Sequence, residues 1–508
     1  MKETKYYTTA IAYVNAEPHI GFALELLFTD VMARYQRLCG NETRFLTGTD
    51  EHGQKIYKTA RDAGKTPEQF TDEVSAKFSN LADLWNISND DFIRTTEQRH
   101  IVGAQKFWNA SMANGDIYKK TYTGLYCVGC EAFKTEKDLV EGKCPDHKRE
   151  PEVLSEENYF FKLSKYQKQL ETLFEQNKSF VYPESRYNEM YNILKSGMED
   201  ISVSRAVEKL PWGIPVTGDN TQVMYVWFDA LTNYITALGY GSDDETLVQK
   251  FWPATHVIGK EINRFHSLLW PAMLMSAGVE LPKQIAVHGW MTVDGQKMSK
   301  TIGNVINPTE LTAKHPLETV RFFLMREIPF DNDGDFSNTK FVERYTADLA
   351  NGLGNFTSRV ITMIEKYSDN HIPAVTKIDQ PLIDFLTKEI WPAYTSYMEN
   401  WKFNHALETA WKFITHCDQI ISDKKPWTMA KEGKQEEVNN LLYHLCESLR
   451  HIAVMIYPVM PDTAEKILIQ LGLEPAKEFA KPLEELQQWV ELTVGNKINK
   501  GEILFPRL

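Results

Sequence analysis

Tyr6-Tyr7-Thr8-Thr9-Ala10-Ile11-Ala12-Tyr13-Val14, then Asn15-Ala16-Glu17-Pro18, then the run from Gly21 to Leu38, is the stretch that sets the fold class. The first nine residues are β-branched, aromatic or small and predict a strand. Asn15 to Pro18 carries turn chemistry. From Gly21 onward Leu24, Leu27, Phe28, Val31 and Met32 recur at helical spacing. Cys39-Gly40-Asn41 ends that helix, and Thr43 to Thr47 predicts the next strand. A strand–turn–helix–strand unit is the opening of a doubly wound, Rossmann-like α/β domain.

The same rhythm returns at Val223 to Trp227, His256 to Ile258 and Ile285 to His288, all expected as strands. Residues 115–218 interrupt it with prolines, charges and three cysteines, and predict an insertion. After about residue 345 strand signals fade. Apolar residues then recur at helical spacing, as in Phe403 to Cys417 and Asn439 to Met455, which predicts a helical bundle. The expected division is a catalytic domain over 1–114 and 219–290, an insertion over 115–218, a short region over 291–345, and a helical domain over 346–508.

The 508 residues are too many for a single core. A net charge of −13 argues against non-specific nucleic-acid binding, although local patches decide specific binding. Six cysteines are too sparse for a disulfide framework. The amino-terminal residues do not resemble a secretory signal, and no apolar run reaches the roughly 18 residues of a membrane helix. The expectation is a cytoplasmic protein with no membrane partner.

A helix beginning near Gly21 aims free N–H groups and its positive dipole end at whatever lies above the sheet, which suits a phosphate. His19 adds a donor there, and Gly21 lets a flat ligand approach the backbone. Far downstream, Asp294-Gly295-Gln296-Lys297-Met298-Ser299-Lys300-Thr301 sets two lysines on a small loop able to close over a triphosphate. Alone, either segment is compatible with a solvated turn.

Asp50 ends the second predicted strand and offers a carboxylate to a free ammonium group. Tyr13, Trp227, Tyr234 and His266, with Ile11, Ala230 and Leu231 as apolar filling, have the composition of a slot for a thioether side chain. Each aromatic taken singly also reads as core. Cys127-Val128-Gly129-Cys130 and Cys144-Pro145-Asp146-His147 have structural-zinc spacing, with three thiolates and one imidazole closing a tetrahedron. Asp331 to Asp335 fails as a calcium loop, since glycine is fourth and Val342 twelfth, and reads as a turn. Asn355 and Arg359, one helical turn apart, suit an unstacked RNA loop, and Trp427 after Pro426 suits a base-stacking platform.

Pro18-His19-Ile20-Gly21-Phe22 with Lys297-Met298-Ser299-Lys300-Thr301 resembles the two signatures of class I aminoacyl-tRNA synthetases. Thr47 to Lys55, Tyr225 to Tyr234, His256 to Ile262 and Phe265 to Ala272, with the cysteine pairs, resemble the methionyl-tRNA synthetase family over nearly the whole chain. The resemblance implies methionyl-adenylate formation from L-methionine and ATP, then transfer to tRNA(Met), initiator included. It implies ATP contacts at His19, Gly21, Gly259, Glu261, Lys297 and Lys300, with His19, Gly21 and the two lysines acting in catalysis. It implies methionine contacts at Ile11, Tyr13, Asp50, Trp227, Ala230, Leu231, Tyr234 and His266. It further implies one structural Zn2+ on Cys127, Cys130, Cys144 and His147, Mg2+ with ATP, and anticodon reading by Asn355, Arg359, Pro426 and Trp427. Relatives with an appended dimerisation module are longer, so a monomer is expected.

Phe22 departs from the family, which has histidine there. Loss of one such donor costs about 2.7–4 kcal/mol, or roughly 10²–10³ in rate. A tRNA-binding relative with impaired chemistry therefore stays open as a second reading. A class I synthetase for another apolar amino acid and a zinc hydrolase are further readings; a missing editing insertion and the closed ligand set speak against them. Homocysteine is the expected competitor, because one methylene is worth only about 1–3 kcal/mol.

Overall fold

The computed structural model describes residues 2–130, 132–134, 136–298, 304–489 and 492–507. The chain divides into two compact units, one of Thr4–Thr29 and Arg44–His288, the other of Met1–Glu3, Asp30–Thr43 and Gly289–Leu508.

The first unit is built on a seven-stranded sheet. Its order is Ala12–Tyr13, Glu42–Asp50, Thr4–Thr9, Thr255–Gly259, Gln284–His288, Val181–Tyr182, and Asp91–Arg94 also pairs with Glu42–Asp50. The registered pairings run parallel. Thr255–Gly259 is buried along its whole length, as a parallel strand covered on both faces must be. The chain winds one way from Thr4–Thr9 to Glu42–Asp50 and the other way to Thr255–Gly259. That reversal opens a crevice above the carboxyl ends of the two neighbouring strands.

The expected strand from Tyr6 to Val14 is broken. Ala10 N–H makes the last ladder bond, to Val257 O, and a second to the Glu25 carboxylate, before the separate strand Ala12–Tyr13 pairs on the other side with Glu42–Asp50. The helix runs Ile20–Leu38, one residue earlier than its periodicity predicts. Within 115–218, Ala132–Lys134, Ile117–Cys127, Glu152–Phe161 and Ile201–Ser202 form an antiparallel sheet.

One expectation fails. Val223 to Trp227 is not a strand of the parallel sheet. Asp219–Met224 pairs antiparallel with Ser204–Ala206 and Pro215–Val216, and Val226–Leu231 is a helix. A short apolar run does not reveal its own period, and Gly218, in the left-handed region at φ +80°, turns the chain into a hairpin instead.

In the second unit Met291–Val293 pairs antiparallel with Gln296–Lys297 and parallel with Gly334–Phe336. Asp331 to Asp335 is therefore only partly a turn, because its last two residues enter that strand. The remainder is helical: Asn355–Tyr367, Phe403–Lys424 and Pro426–Lys431 all pack on the long helix Gln435–Ile456. No helix among the described residues is long and apolar enough to cross a membrane.

Candidate active site

Two groups of residues face each other across the crevice. On one side stands the helix start. The Gly21 N–H donates to His19 Nδ1 at 3.1 Å, so the imidazole caps the first turn and its proton lies on Nε2. His19 itself is exposed. A Cβ on Gly21 would sit 2.9 Å from that ring, which accounts for glycine there. One turn on, Glu25 accepts from Ala10 N–H at 2.9 Å and faces His288 Nε2 at 3.0 Å. Burial pushes the Glu25 carboxyl up, against the pull of His288.

On the other side Gly259 ends its strand in register with His288. A Cβ on Gly259 would lie 2.8 Å from both Glu261 oxygens. A side chain there would make the Glu261 carboxylate shift.

Beside these residues stands a wall of rings. Trp227 lies flat on Phe265 with centroids 3.9 Å apart, and His266 meets Trp227 edge-on. The buried Tyr234 hydroxyl bonds His266 Nε2 at 2.7 Å, while His266 Nδ1 lies 3.1 Å from Ile262 O. A carbonyl only accepts, so Nδ1 carries the proton and Nε2 accepts from the phenol. Burial holds this imidazole neutral, with its pKa down at about 4. Ile11, Tyr13 and Trp227 pack half-buried against the core that contains Leu231 and Tyr234, and Ala230 is buried. Tyr13 and Asp50 are register partners on adjacent strands. The site thus joins an apolar, neutral slot to one carboxylate.

Phe22 stands apart from this polar crevice. Its ring packs edge-on against Phe78 at 5.0 Å, within a cluster of Val14, Ile56 and Val74. Lys297 is in the edge strand Gln296–Lys297, opposite Thr292. Lys300, with Ser299, Thr301 and Gly303, lies outside the described residues.

The cysteine pairs converge. The Sγ atoms of Cys127, Cys130 and Cys144 and a nitrogen of His147 lie within 4.8 Å of one another. Cys130 Sγ is 3.5 Å from Cys144 Sγ and 3.3 Å from His147 Nδ1, and the other two sulfurs are 3.9 and 3.8 Å from that nitrogen. A tetrahedron with zinc–ligand bonds of about 2.0–2.3 Å has edges of roughly 3.5–3.8 Å, so the donors fit. A Cβ on Gly129 would strike the His147 ring at 2.4 Å, so the glycine of the knuckle makes room for its fourth ligand.

Two family models match, one described as tRNA synthetases class I (M) over residues 5–151 and 146–361, the other as the anticodon-binding domain of tRNA ligase over 386–499. Methionine–tRNA ligase of Thermotoga maritima is 44% identical over 99% of this chain and 80% of its own length. That of Clostridium acetobutylicum is 45% identical over 100% of this chain and 78% of its own. The chain belongs to the methionine–tRNA ligase family. A solved methionyl-tRNA synthetase of Mycobacterium tuberculosis, in complex with methionyl-adenylate, superposes with a TM-score of 0.94 at 38% identity, covering 100% of both chains.

The helical half presents groups to solvent. Asn355 is exposed at the start of Asn355–Tyr367, and Arg359 one turn later pairs with Asp418 of the neighbouring helix. Lys425, at φ +49°, ends Phe403–Lys424, and buried Pro426 starts the next helix. That leaves Trp427 40% exposed, too open for the core plug that an isolated tryptophan suggests.

Sequence reasoning missed the polar frame behind this site. Glu51, fully buried, takes a two-pronged bond from Arg94 at 2.7 and 3.0 Å and further bonds from Thr49 and Thr96. Asp229, also fully buried, lies 2.7 Å from both His52 Nδ1 and His100 Nε2. A charged residue inside the apolar run Val226 to Leu231 is the one signal that could have found it, because a buried carboxylate demands partners. His100 carries no such signal.

Proposed function

We propose that this chain activates L-methionine with ATP and transfers it to tRNA(Met), including the initiator. The observation that carries the reading is the ring wall of Trp227, Phe265, Tyr234 and His266 beside Asp50, at the carboxyl ends of strands whose crevice also holds the Gly21 helix start. Asp50 takes the methionine ammonium group, and the neutral slot takes the thioether without a charge to desolvate. The methionine carboxylate oxygen then attacks the α-phosphorus, the bond to the bridging oxygen breaks, and pyrophosphate leaves with its electron pair. A terminal tRNA ribose hydroxyl afterwards takes the acyl group and AMP departs.

His19 donates from Nε2 to a phosphate oxygen, and Gly21 admits the nucleotide. Gly259 and Glu261 receive the ribose, and Lys297 and Lys300 neutralise the triphosphate. Mg2+ carried with ATP supplies further charge neutralisation. Zn2+ held by Cys127, Cys130, Cys144 and His147 supplies closure of the insertion, with no open position for chemistry. Asn355, Arg359, Pro426 and Trp427 read the anticodon. The functional division is 1–114 with 219–290 for activation, 115–218 for the zinc insertion, 291–345 for the lysine loop, and 346–508 for the anticodon, in a cytoplasmic monomer.

The reading of a tRNA-binding relative without chemistry rests on Phe22 alone, and the packing of Phe22 beside Phe78 leaves the pocket residues in place. Pyrophosphate exchange into ATP, run against each amino acid, tests the choice. Exchange with methionine, and weakly with homocysteine, is expected; because the ring of Phe22 packs on Phe78 away from the crevice, Phe22→His should raise it by less than the roughly 10²–10³ that a donor on the phosphates supplies. Silence of both proteins with every amino acid would refute activation. Trp427→Ala should leave exchange unchanged and raise the tRNA KM by about 10–100-fold, as for a lost base stack.

A further inference from the structure

Asp50 and Trp227 reach the amino-acid pocket from segments far apart in sequence. Asp50 ends a strand, and Glu51 and His52 come directly after it. Trp227 and Ala230 belong to the helix Val226–Leu231, and the buried Asp229 lies between them in sequence.

The Asp229 carboxylate is the bond between these segments. Its Oδ2 meets His52 Nδ1 and its Oδ1 meets His100 Nε2, each at 2.7 Å. His100, at the start of the helix Gln98–Ala113, is anchored in turn through Nδ1 to Thr236 Oγ1 at 2.9 Å. His52 meets Trp212 edge-on, and the indole N–H of Trp212 donates to Glu51 O. Burial alone would push the Asp229 carboxyl up; the two imidazoles reverse that and hold it below the usual carboxylate range. With Arg94 gripping Glu51 from one side and Asp229 gripping His52 from the other, the short Asp50 loop has little freedom left.

We propose that Asp229 is a positioning residue for amino-acid recognition: clamped between His52 and His100, its carboxylate holds the Asp50 loop in register with the helix that carries Trp227 and Ala230. The inference rests on the methionine reading above. Asp229 touches neither reactant, so its loss should appear as misplacement of the ammonium site relative to the ring wall. The nucleotide side, built on His19, Glu25 and Gly259, does not run through it.

Calorimetric titration of the full chain with methionine and, separately, with ATP tests this. Asp229→Asn keeps the shape and removes the charge. It should weaken methionine binding by about tenfold or more while ATP binding stays within about twofold. In exchange kinetics the methionine KM should rise with the ATP KM unchanged. His100→Gln, which keeps an N–H toward Asp229, should restore most of the methionine affinity lost in His100→Leu. Equal affinity in the Gln and Leu variants, parallel loss of both ligands in Asp229→Asn, or unchanged methionine binding in it would overturn the proposal. Should Asp229→Asn not fold, the His100 pair decides. A wild-type chain that binds ATP and no methionine would instead overturn the underlying reading of the pocket.

Discussion

The ring-walled pocket and the cysteine knuckle belong to the same compact unit and are built in opposite ways. The pocket is made by packing. Trp227 on Phe265, Tyr234 against His266 and His256, and Trp270 beneath them form a continuous layer of rings, most of it sealed from water. Among the described residues the knuckle has no comparable layer. Around it Val140 and Val153 are exposed, and His147 itself faces solvent. Its order comes from four donor atoms meeting at one point. One region is specified by many weak contacts, each replaceable at moderate cost, the other by four groups, none of which is replaceable.

Four measurements test this contrast, in descending order of magnitude. With Zn2+ at the knuckle as proposed, chelation would remove an interaction of about 10–16 kcal/mol, all of it folding energy for the knuckle. Amide exchange should rise across Cys127 to Arg149 and stay low over Val226 to Leu231; equal rises in both would show that the two regions are not separately built.

Trp227→Ala comes next. It deletes the face that lies on Phe265 and should cost about 3 kcal/mol in methionine affinity, roughly 10²-fold. A loss below about threefold would mean that the ring wall does not contact the side chain.

Acid is the third probe. His266 has its pKa lowered to about 4 by burial, and His256 is lowered in the same direction. Both are neutral in the folded chain at pH 7, and in the unfolded chain an imidazole protonates near 6.5. Their neutral burial therefore carries no penalty above about pH 6.5. Stability should fall as pH drops from 6.5 to 4, by about 3 kcal/mol for His266 alone, and level off from that source below. Denaturant titrations at several pH values should give His266→Gln a shallower acid slope by up to one proton. An unchanged slope would place the uptake elsewhere.

The smallest effect belongs to Gly129→Ala. Its Cβ must displace the His147 ring, so zinc affinity should drop by about 10–100-fold with methionine binding unchanged. Metal titration beside calorimetry reads both.

The knuckle was legible in the sequence because metal ligation imposes spacing on neighbours, and Cys-x-x-Cys is spacing. The strand–turn–helix opening was legible for a related reason: helix and strand periods are local. Val223 to Trp227 misled because a short apolar run fits either period. His266 could be placed near the pocket, and its tautomer could not, since that depends on Ile262 O and the Tyr234 hydroxyl together.

The doubly wound unit, the helical half, the cysteine–histidine cluster and the family could all be read from the order of residues. Packing in three dimensions decided which buried charges hold the site. Asp229 finds His52 across 177 positions and His100 across 129. Glu51 finds Arg94 across 43. A buried carboxylate announces that it needs a donor, but which donor it meets is set by how the sheet and its covering helices stack, and nothing in the local order of residues encodes that.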